Sequence, residues 1–247
     1  MRRTYAYFIS LLLILQSGFD HAYAQDTLLI PLKIKVGLEV SGPAIYISDK
    51  NILSAEGYIS VDNNEKISWV LGAGYLDYKY SQYNYDYQSS GIFIRAGADF
   101  NLLKPEKSLG KYWAGIGLRY GLSVFNSETP SLKQDNYWGT TSSSIAERIN
   151  WAHFLEASPG VRAEVFRNFS MGWTISLRML LHTGTGKDLR PIYFPGFGNG
   201  AKSFSTGLNY FIVWNIPFKK ITVITKKEVP PEPDETVGTG TQGTGLR

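Results

Sequence analysis

Charged residues of both signs recur at alternate positions in several segments of the chain, between residues that are mostly apolar. Alternation with period two predicts a β-strand with two different faces, so these charges would share one face. That face is also rich in glycine, which fits a narrow interior filled by small side chains and Arg–carboxylate pairs. The alternative is an ion path lined by unpaired charges, which would be costly to bury. We predict a buried ion-pair network made of Glu39, Arg95, Asp99, Arg119, Glu156, Arg162, Glu164 and Arg178.

Hydrolysis of a lipid would need a histidine beside a nucleophilic serine or a carboxylate. Apart from His21 in the leader, the chain has only His153 and His182. By parity, His153 points to the apolar face and His182 to the charged face, so we expect them not to share a site. We therefore predict no catalytic residues and no enzyme, and a lipid-modifying activity is the least favoured function.

Tyrosines are concentrated between residues 75 and 87. Tyr83, Tyr85 and Tyr87 are candidates for recognising a surface glycan or a protein, because tyrosine combines a large contact area with a polar hydroxyl. The alternative, which we favour, is cross-strand pairing in a hairpin that extends past a membrane.

No cofactor or metal is predicted. The chain has no cysteine, which excludes disulfides and thiolate metal sites. A GxGxxG match at residues 238–243 lies in a low-complexity tail without the strand and helix that a nucleotide site requires. The glycines at 184 and 186 precede Lys187 but lack the rest of a phosphate loop.

The first 24 residues have the pattern of a signal peptide. Arg2 and Arg3 precede an apolar run from Tyr5 to Leu15, and the small residues at 22 and 24 predict cleavage after Ala24. The run is shorter than the ~18 residues that a membrane-spanning helix needs. The formal net charge of +4 for all 247 residues is too small to indicate a nucleic-acid partner.

Eight segments carry the alternation, most clearly Lys202–Phe218, where only Phe211 and Val213 break it. The other segments are Leu32–Val40, Ala55–Val61, Ile67–Tyr75, Gly91–Leu102, Lys111–Asn126, Asn150–Phe166 and Met171–His182. The connections between them alternate between long and short, as in a barrel with short turns at one end and long loops at the other.

Alternation alone does not say which face is inside, since a lipocalin-like barrel points its apolar residues inward. Here the apolar face has no charge in its central stretches and carries Trp69, Trp151, Trp173 and Trp214, which favours contact with lipid. The sequence thus predicts an all-β fold, an eight-stranded antiparallel up-and-down transmembrane β-barrel with a filled polar lumen, over residues 25–218.

The alternation and the aromatic ending Trp214-Asn215-Ile216-Pro217-Phe218 resemble the small outer-membrane barrels of the OmpA, OmpX and OmpW type, and are most similar to barrel families of Bacteroidota. The resemblance covers about Leu32–Phe218. It implies a Gram-negative outer membrane, contact with outer-membrane lipids, insertion by the barrel-assembly machinery and periplasmic termini. Residues 219–247 are predicted to be a flexible periplasmic tail.

Two classes of function follow from this interpretation. The first is a non-enzymatic structural or interaction component, for example a subunit of a barrel-assembly or export machine with a membrane or periplasmic protein partner. The second is a surface-binding module that uses its long loops, Ser127–Ile149 and Thr183–Ala201. Partner contacts on the barrel wall and tail would indicate the first function, and contacts on the loops the second.

Overall fold

The computed structural model describes residues 26–184 and 191–225, so the predicted signal peptide and the tail beyond residue 225 lie outside it. Eight long strands form a closed barrel in the order β1-β10-β7-β6-β5-β4-β3-β2. They are β1 (Asp26–Glu39), β2 (Ile52–Asp62), β3 (Ile67–Ser81), β4 (Tyr85–Asn101), β5 (Tyr112–Asn136), β6 (Gly139–Phe166), β7 (Phe169–Thr183) and β10 (Phe204–Thr225). No helix in this part of the chain is long and apolar enough to cross a membrane.

By its contacts the chain divides into two units. Residues 28–223 make up the barrel. The other unit comprises residues 1–27 and 224–247, of which the structure describes only strand residues.

Period-two alternation builds the wall of the barrel. Ala96 pairs with Leu71 on one side and Tyr120 on the other, and these side chains point outward. The neighbouring Arg95 points into the lumen between two glycines, one of which is Gly121. A Cβ atom at Gly121 would lie 2.3 Å from the ring of a phenylalanine on β6, so glycine here makes room for a large lumen side chain.

The two ends of the barrel differ in their connections. At the turn end the strands are joined by residues 63–66, by a segment holding the short helix α2 (Pro105–Ser108), and by residues 167–168. At the loop end lie helix α1 (Ser41–Ser48), residues 82–84, the tip at residues 137–138 and the connection from β7 to β10. This confirms the predicted eight-stranded antiparallel barrel. The predicted alternation of short and long connections was wrong, because residues 82–84 and 137–138 at the loop end are as short as the turns at the other end.

Several strands are longer than predicted, and two of the extensions change the assignment of a predicted loop or tail. Residues 127–149 are not a loop, because β5 and β6 continue as a paired hairpin to Asn136 and Gly139. This ribbon is mostly exposed and has no apolar face, so hydrophobic alternation could not reveal it. In the second case, β10 extends past Phe218 to Thr225, through the β-prone residues 221–225.

The lumen also contains apolar side chains. Phe211 and Val213, which break the alternation of β10, are buried and pack with Tyr58 and Val70. Nearer the loop end, Phe125, Ala152, Phe154, Phe194 and Phe197 form a second buried cluster. Two of its members come from the connection between β7 and β10, which contains the small hairpin of β8 (Tyr193–Phe194) and β9 (Gly198–Asn199). Residues 191–203 of this connection therefore fold into the mouth of the barrel.

Candidate functional site

Glu156 occupies the centre of the lumen and is 2% exposed. Its carboxylate accepts hydrogen bonds from three arginines: Oε1 from Nη1 of Arg95 at 3.2 Å and from Nη1 of Arg119 at 3.4 Å, and Oε2 from Nε of Arg178 at 2.8 Å. The hydroxyl of Ser158 donates a further bond of 2.8 Å. Strand register explains the geometry, because Glu156 pairs directly with Arg119 on β5 and with Arg178 on β7.

Asp99 and Glu56 extend this network around the lumen. Asp99 lies 3.0 Å from Nη2 of Arg119 and 3.4 Å from Nη2 of Arg162, and Glu56 lies 2.8 Å from Nη2 of Arg95. The guanidinium groups of Arg95 and Arg162 also face aromatic rings, which adds cation–π attraction. The structure thus brings together Arg95, Asp99, Arg119, Glu156, Arg162 and Arg178.

The other two residues of the predicted network lie apart from it. Glu39 caps the start of α1, accepting hydrogen bonds from the backbone N–H groups of Ser41 and Gly42, both at 2.8 Å. Glu164 lies near the turn end and forms a 2.5 Å ion pair with Lys33. Parity placed both carboxylates on the inward face but could not place them along the barrel axis.

Several charged lumen residues were missed by the sequence analysis. Glu56 has the same parity as the buried Tyr58, and its charge inside a strand was the available signal. Lys33 and Lys35 alternate with apolar residues on β1, and Lys35 pairs with Asp62. Near the turn end, therefore, each of these two buried lysines forms an ion pair with a carboxylate.

The prediction for the two histidines was wrong. His182 lies beside His153 on the outside of the barrel, with ring centroids 6.0 Å apart. The cause is a register irregularity: His153 pairs with His182, whereas Phe154 pairs with Leu180, so β7 has one extra residue and its parity changes. Trp151 packs against both rings, and the hydroxyl of Tyr120 lies 2.9 Å from Nδ1 of His153.

The three candidate tyrosines do not share one surface. Tyr83 is exposed in the loop, and Tyr85 lies against Tyr80 with ring centroids 5.7 Å apart. Tyr87 is 1% exposed, and its hydroxyl donates a 2.9 Å hydrogen bond to the carbonyl of Tyr193. The candidate role of Tyr87 in surface recognition was therefore wrong, because the side chain is buried and contacts the connection between β7 and β10.

The outer surface is apolar where the lumen is polar. Tryptophans 69, 151, 173 and 214 are all exposed on it, as are the phenylalanines at the two ends of the alternating part of β10. Between them the exposed residues are aliphatic, such as Leu118, Ile175 and Leu208. A closed ring of strands with an apolar outside, aromatic residues toward both ends and a matched set of internal charges defines a transmembrane β-barrel. Within the described residues no group of three or more metal-binding side chains occurs.

The chain belongs to the family described as a domain of unknown function (DUF6048), whose model matches residues 4–221. No curated protein matches the sequence.

Among solved structures, the chain is similar to CarO of Acinetobacter baumannii, with 11% identity, 76% of this chain and 98% of that chain covered, and a TM-score of 0.37. The chain is also similar to the N-terminal barrel domain of Pseudomonas aeruginosa OprF, with 8% identity, 77% of this chain and 100% of that chain covered, and a TM-score of 0.29. For Neisserial surface protein A the identity is 11%, the coverage is 76% of this chain and 96% of that chain, and the TM-score is 0.29.

Proposed function

We propose that this protein is a non-enzymatic barrel of the outer membrane that acts as an interaction component, with its long loops outside the cell and both termini in the periplasm. The observation that carries the proposal is the pairing of an apolar, aromatic-flanked exterior with a lumen closed by its own ion pairs. The first residues of the barrel unit in β1 and the last in β10 lie at the turn end, which in such barrels faces the periplasm.

A channel function is disfavoured because the network crosses the middle of the lumen. Arginines from β4, β5, β6 and β7 meet the carboxylates of Glu156 and Asp99 there, and all these side chains are at least nine-tenths buried. We expect no conductance steps of porin size in planar bilayers. Steps of that size from the purified protein would show that the lumen opens.

An enzymatic function is disfavoured by the surroundings of the histidines. His153 and His182 are adjacent, but their described contacts are with Tyr120 and Trp151, and neither a serine nor a carboxylate is among them. A hydrolase would need such a group to attack or to orient the imidazole. We expect purified protein not to turn over phospholipid or lipopolysaccharide; turnover that disappears in His182→Ala would overturn this.

The role of a subunit in a larger outer-membrane complex, such as an assembly or export machine, is part of the proposal. Its partner would be a membrane or periplasmic protein that contacts the barrel wall or the tail beyond residue 225.

A second candidate function, surface binding, is favoured by the tip of the β5–β6 hairpin. Tyr137 and Trp138 are 93% and 90% exposed there, with ring centroids 5.3 Å apart. Exposed tyrosine and tryptophan are typical anchors of protein interfaces.

A mild-detergent pull-down from outer membranes separates these functions. Three tagged forms are compared: the full chain, a chain ending at Thr225, and Tyr137→Ala/Trp138→Ala. Stoichiometric co-purification that is lost only on truncation supports a subunit bound through the tail, and retention by all three forms supports binding through the wall. Loss only in the hairpin variant supports surface binding. A full chain that emerges alone, as a heat-modifiable monomer, overturns the subunit role.

A further inference from the structure

A cavity of about 320 Å³ lies at the loop end of the lumen. Arg95 and Arg178 of the ion-pair network line it on the side of the barrel centre, and α1, β2, the segment 193–199 and β10 supply its other walls. Its volume is at the lower end of the range of small-molecule sites, and corresponds to about ten water molecules of liquid. Because the network closes the lumen beneath it, the cavity leads to no passage through the barrel.

The charged groups in the cavity wall are already matched. Both Nη atoms of Arg95 pair with carboxylates, those of Glu56 and Glu156, and Arg178 pairs with Glu156; Nε of Arg95 is buried without a hydrogen-bond partner among the described residues. The carboxylate of Glu39 is held by the backbone N–H groups at the start of α1. An ionic ligand would have to compete with these pairs, so the cavity offers it no free opposite charge.

Two neutral polar side chains of the cavity wall come from β10. Ser205 and Asn209 are each 9% exposed and line the cavity, and neither side chain hydrogen-bonds any group among the described residues. Because buried hydroxyl and amide groups are normally hydrogen-bonded, these two side chains can bind a polar ligand in the cavity. Gly207, between them, leaves open the space beside Arg178: a Cβ atom there would lie 3.1 Å from Nη1.

We propose that the cavity binds a small, uncharged, polyhydroxylated molecule with the size of a single sugar ring. Its hydroxyl groups would pair with Ser205 and Asn209, which offer both donors and acceptors. Its carbon face would lie on the apolar and aromatic wall formed by Ile45 and Tyr193. This site goes beyond the function proposed above. It depends on the barrel fold and not on the β5–β6 hairpin, which does not line the cavity.

The test uses the mature chain refolded in detergent micelles, with saturation-transfer NMR and titration calorimetry. The probes are glucose, galactose and N-acetylglucosamine, with alanine as a zwitterion and gluconate as an anion. We expect binding of at least one neutral sugar, weakened about tenfold by Asn209→Ala and by Ser205→Ala, as for loss of one buried hydrogen bond. Ser123→Ala is the matched control, since Ser123 is also a buried, unbonded lumen serine but does not line the cavity. It should leave binding unchanged.

Folding of each variant is checked by its faster migration on unheated gels. Should a lumen variant fail to fold, Ile45→Trp on the partly exposed helix α1 narrows the cavity without altering a strand, and it should also weaken binding. The proposal is overturned if no neutral sugar binds at millimolar concentration, if alanine or gluconate binds more tightly, or if the β10 variants and Ile45→Trp bind as the parent does.

Discussion

The middle of the lumen and its loop end are filled by different means. In the middle, Glu156 and Asp99 hold arginines that project from four neighbouring strands. At the loop end, Phe194 and Phe197 from the connection between β7 and β10 stack on each other. Phe194 also stacks on a phenylalanine of β5, and Phe197 meets a phenylalanine of β6 edge-on. The first filling requires only strands in correct register, whereas the second requires a connection to fold back into the barrel.

The ion-pair network and the phenylalanine cluster should therefore stabilise different parts of the protein: the network the barrel, and the cluster the segment that covers the loop end. The network ties together strands that must already be paired, so breaking it should weaken the whole barrel. The phenylalanine cluster attaches one connection to the wall, so breaking it should first release that connection. The cavity lies between the two fillings, which explains why it has a charged floor and a partly aromatic wall.

The largest expected effect comes from removing the centre of the network. Glu156→Ala leaves three buried guanidinium groups without their shared carboxylate, so we expect the free energy of unfolding to fall by about 3–5 kcal/mol. Urea denaturation in micelles, followed by tryptophan fluorescence, measures this loss. Glu106→Ala, which removes an exposed carboxylate on α2, is the control and should change stability by less than about 0.5 kcal/mol. A loss below about 1 kcal/mol for Glu156→Ala would mean that water replaces the carboxylate and that the lumen is not closed.

A smaller global effect is expected from the phenylalanine cluster. Phe194→Ala removes a fully buried ring, a change that costs about 3 kcal/mol in a rigid core. If the connection between β7 and β10 is a separable unit, hydrogen-exchange protection is lost mainly in residues 191–203 and the strands of the network keep theirs. Tyr83→Ala, at an exposed loop position, should alter neither. Loss of protection throughout β5 to β7 would show that the two fillings form one cooperative unit.

The two regions also differ in what the sequence could predict. Parity alone identified the arginines and carboxylates in the middle, because a regular strand fixes which face each residue occupies. It failed for His182, where one extra residue in β7 changes the parity, and no local pattern marks such a bulge. Glu56 was missed because the alternation of β2 is weak, with several residues half-buried on both faces.

The loop end was predicted less well because its structure depends on contacts between distant segments. Tyr87 is buried in part by the segment at residues 193–194, a contact between residues far apart in sequence. The cavity itself combines α1, β10 and that same connection. The β5–β6 hairpin was missed for another reason: its polar residues carry no hydrophobic period, and pairing with each other holds the ribbon together.

Raising the pH should loosen the loop-end cluster while the ion-pair network stays folded, and this test removes no buried side chain. Burial raises the pKa of Tyr193, and the smaller effect of the Arg178 charge acts in the opposite direction. Its contribution to stability is therefore complete below the unfolded pKa of ~10 and is lost as the pH rises through the higher folded value. We expect proteolysis of the connection between β7 and β10 to accelerate above pH ~10, while the folded band on unheated gels persists. Tyr193→Phe should lack this acceleration; the same pH dependence in the variant would assign it to another group.

The smallest effect on stability is expected for substitutions at the tip of the β5–β6 hairpin, outside both the ion-pair network and the phenylalanine cluster. Tyr137 and Trp138 stand at the tip of the β5–β6 hairpin, far along the chain from the lumen segments of those strands, and both side chains are almost fully exposed. The double substitution Tyr137→Ala/Trp138→Ala should shift the free energy of unfolding by less than about 0.5 kcal/mol in the same urea assay. Loss of an outer-membrane partner at unchanged stability would then place recognition on the hairpin. A destabilisation of more than about 1 kcal/mol would show instead that the tip packs on the protein itself and belongs to the fold.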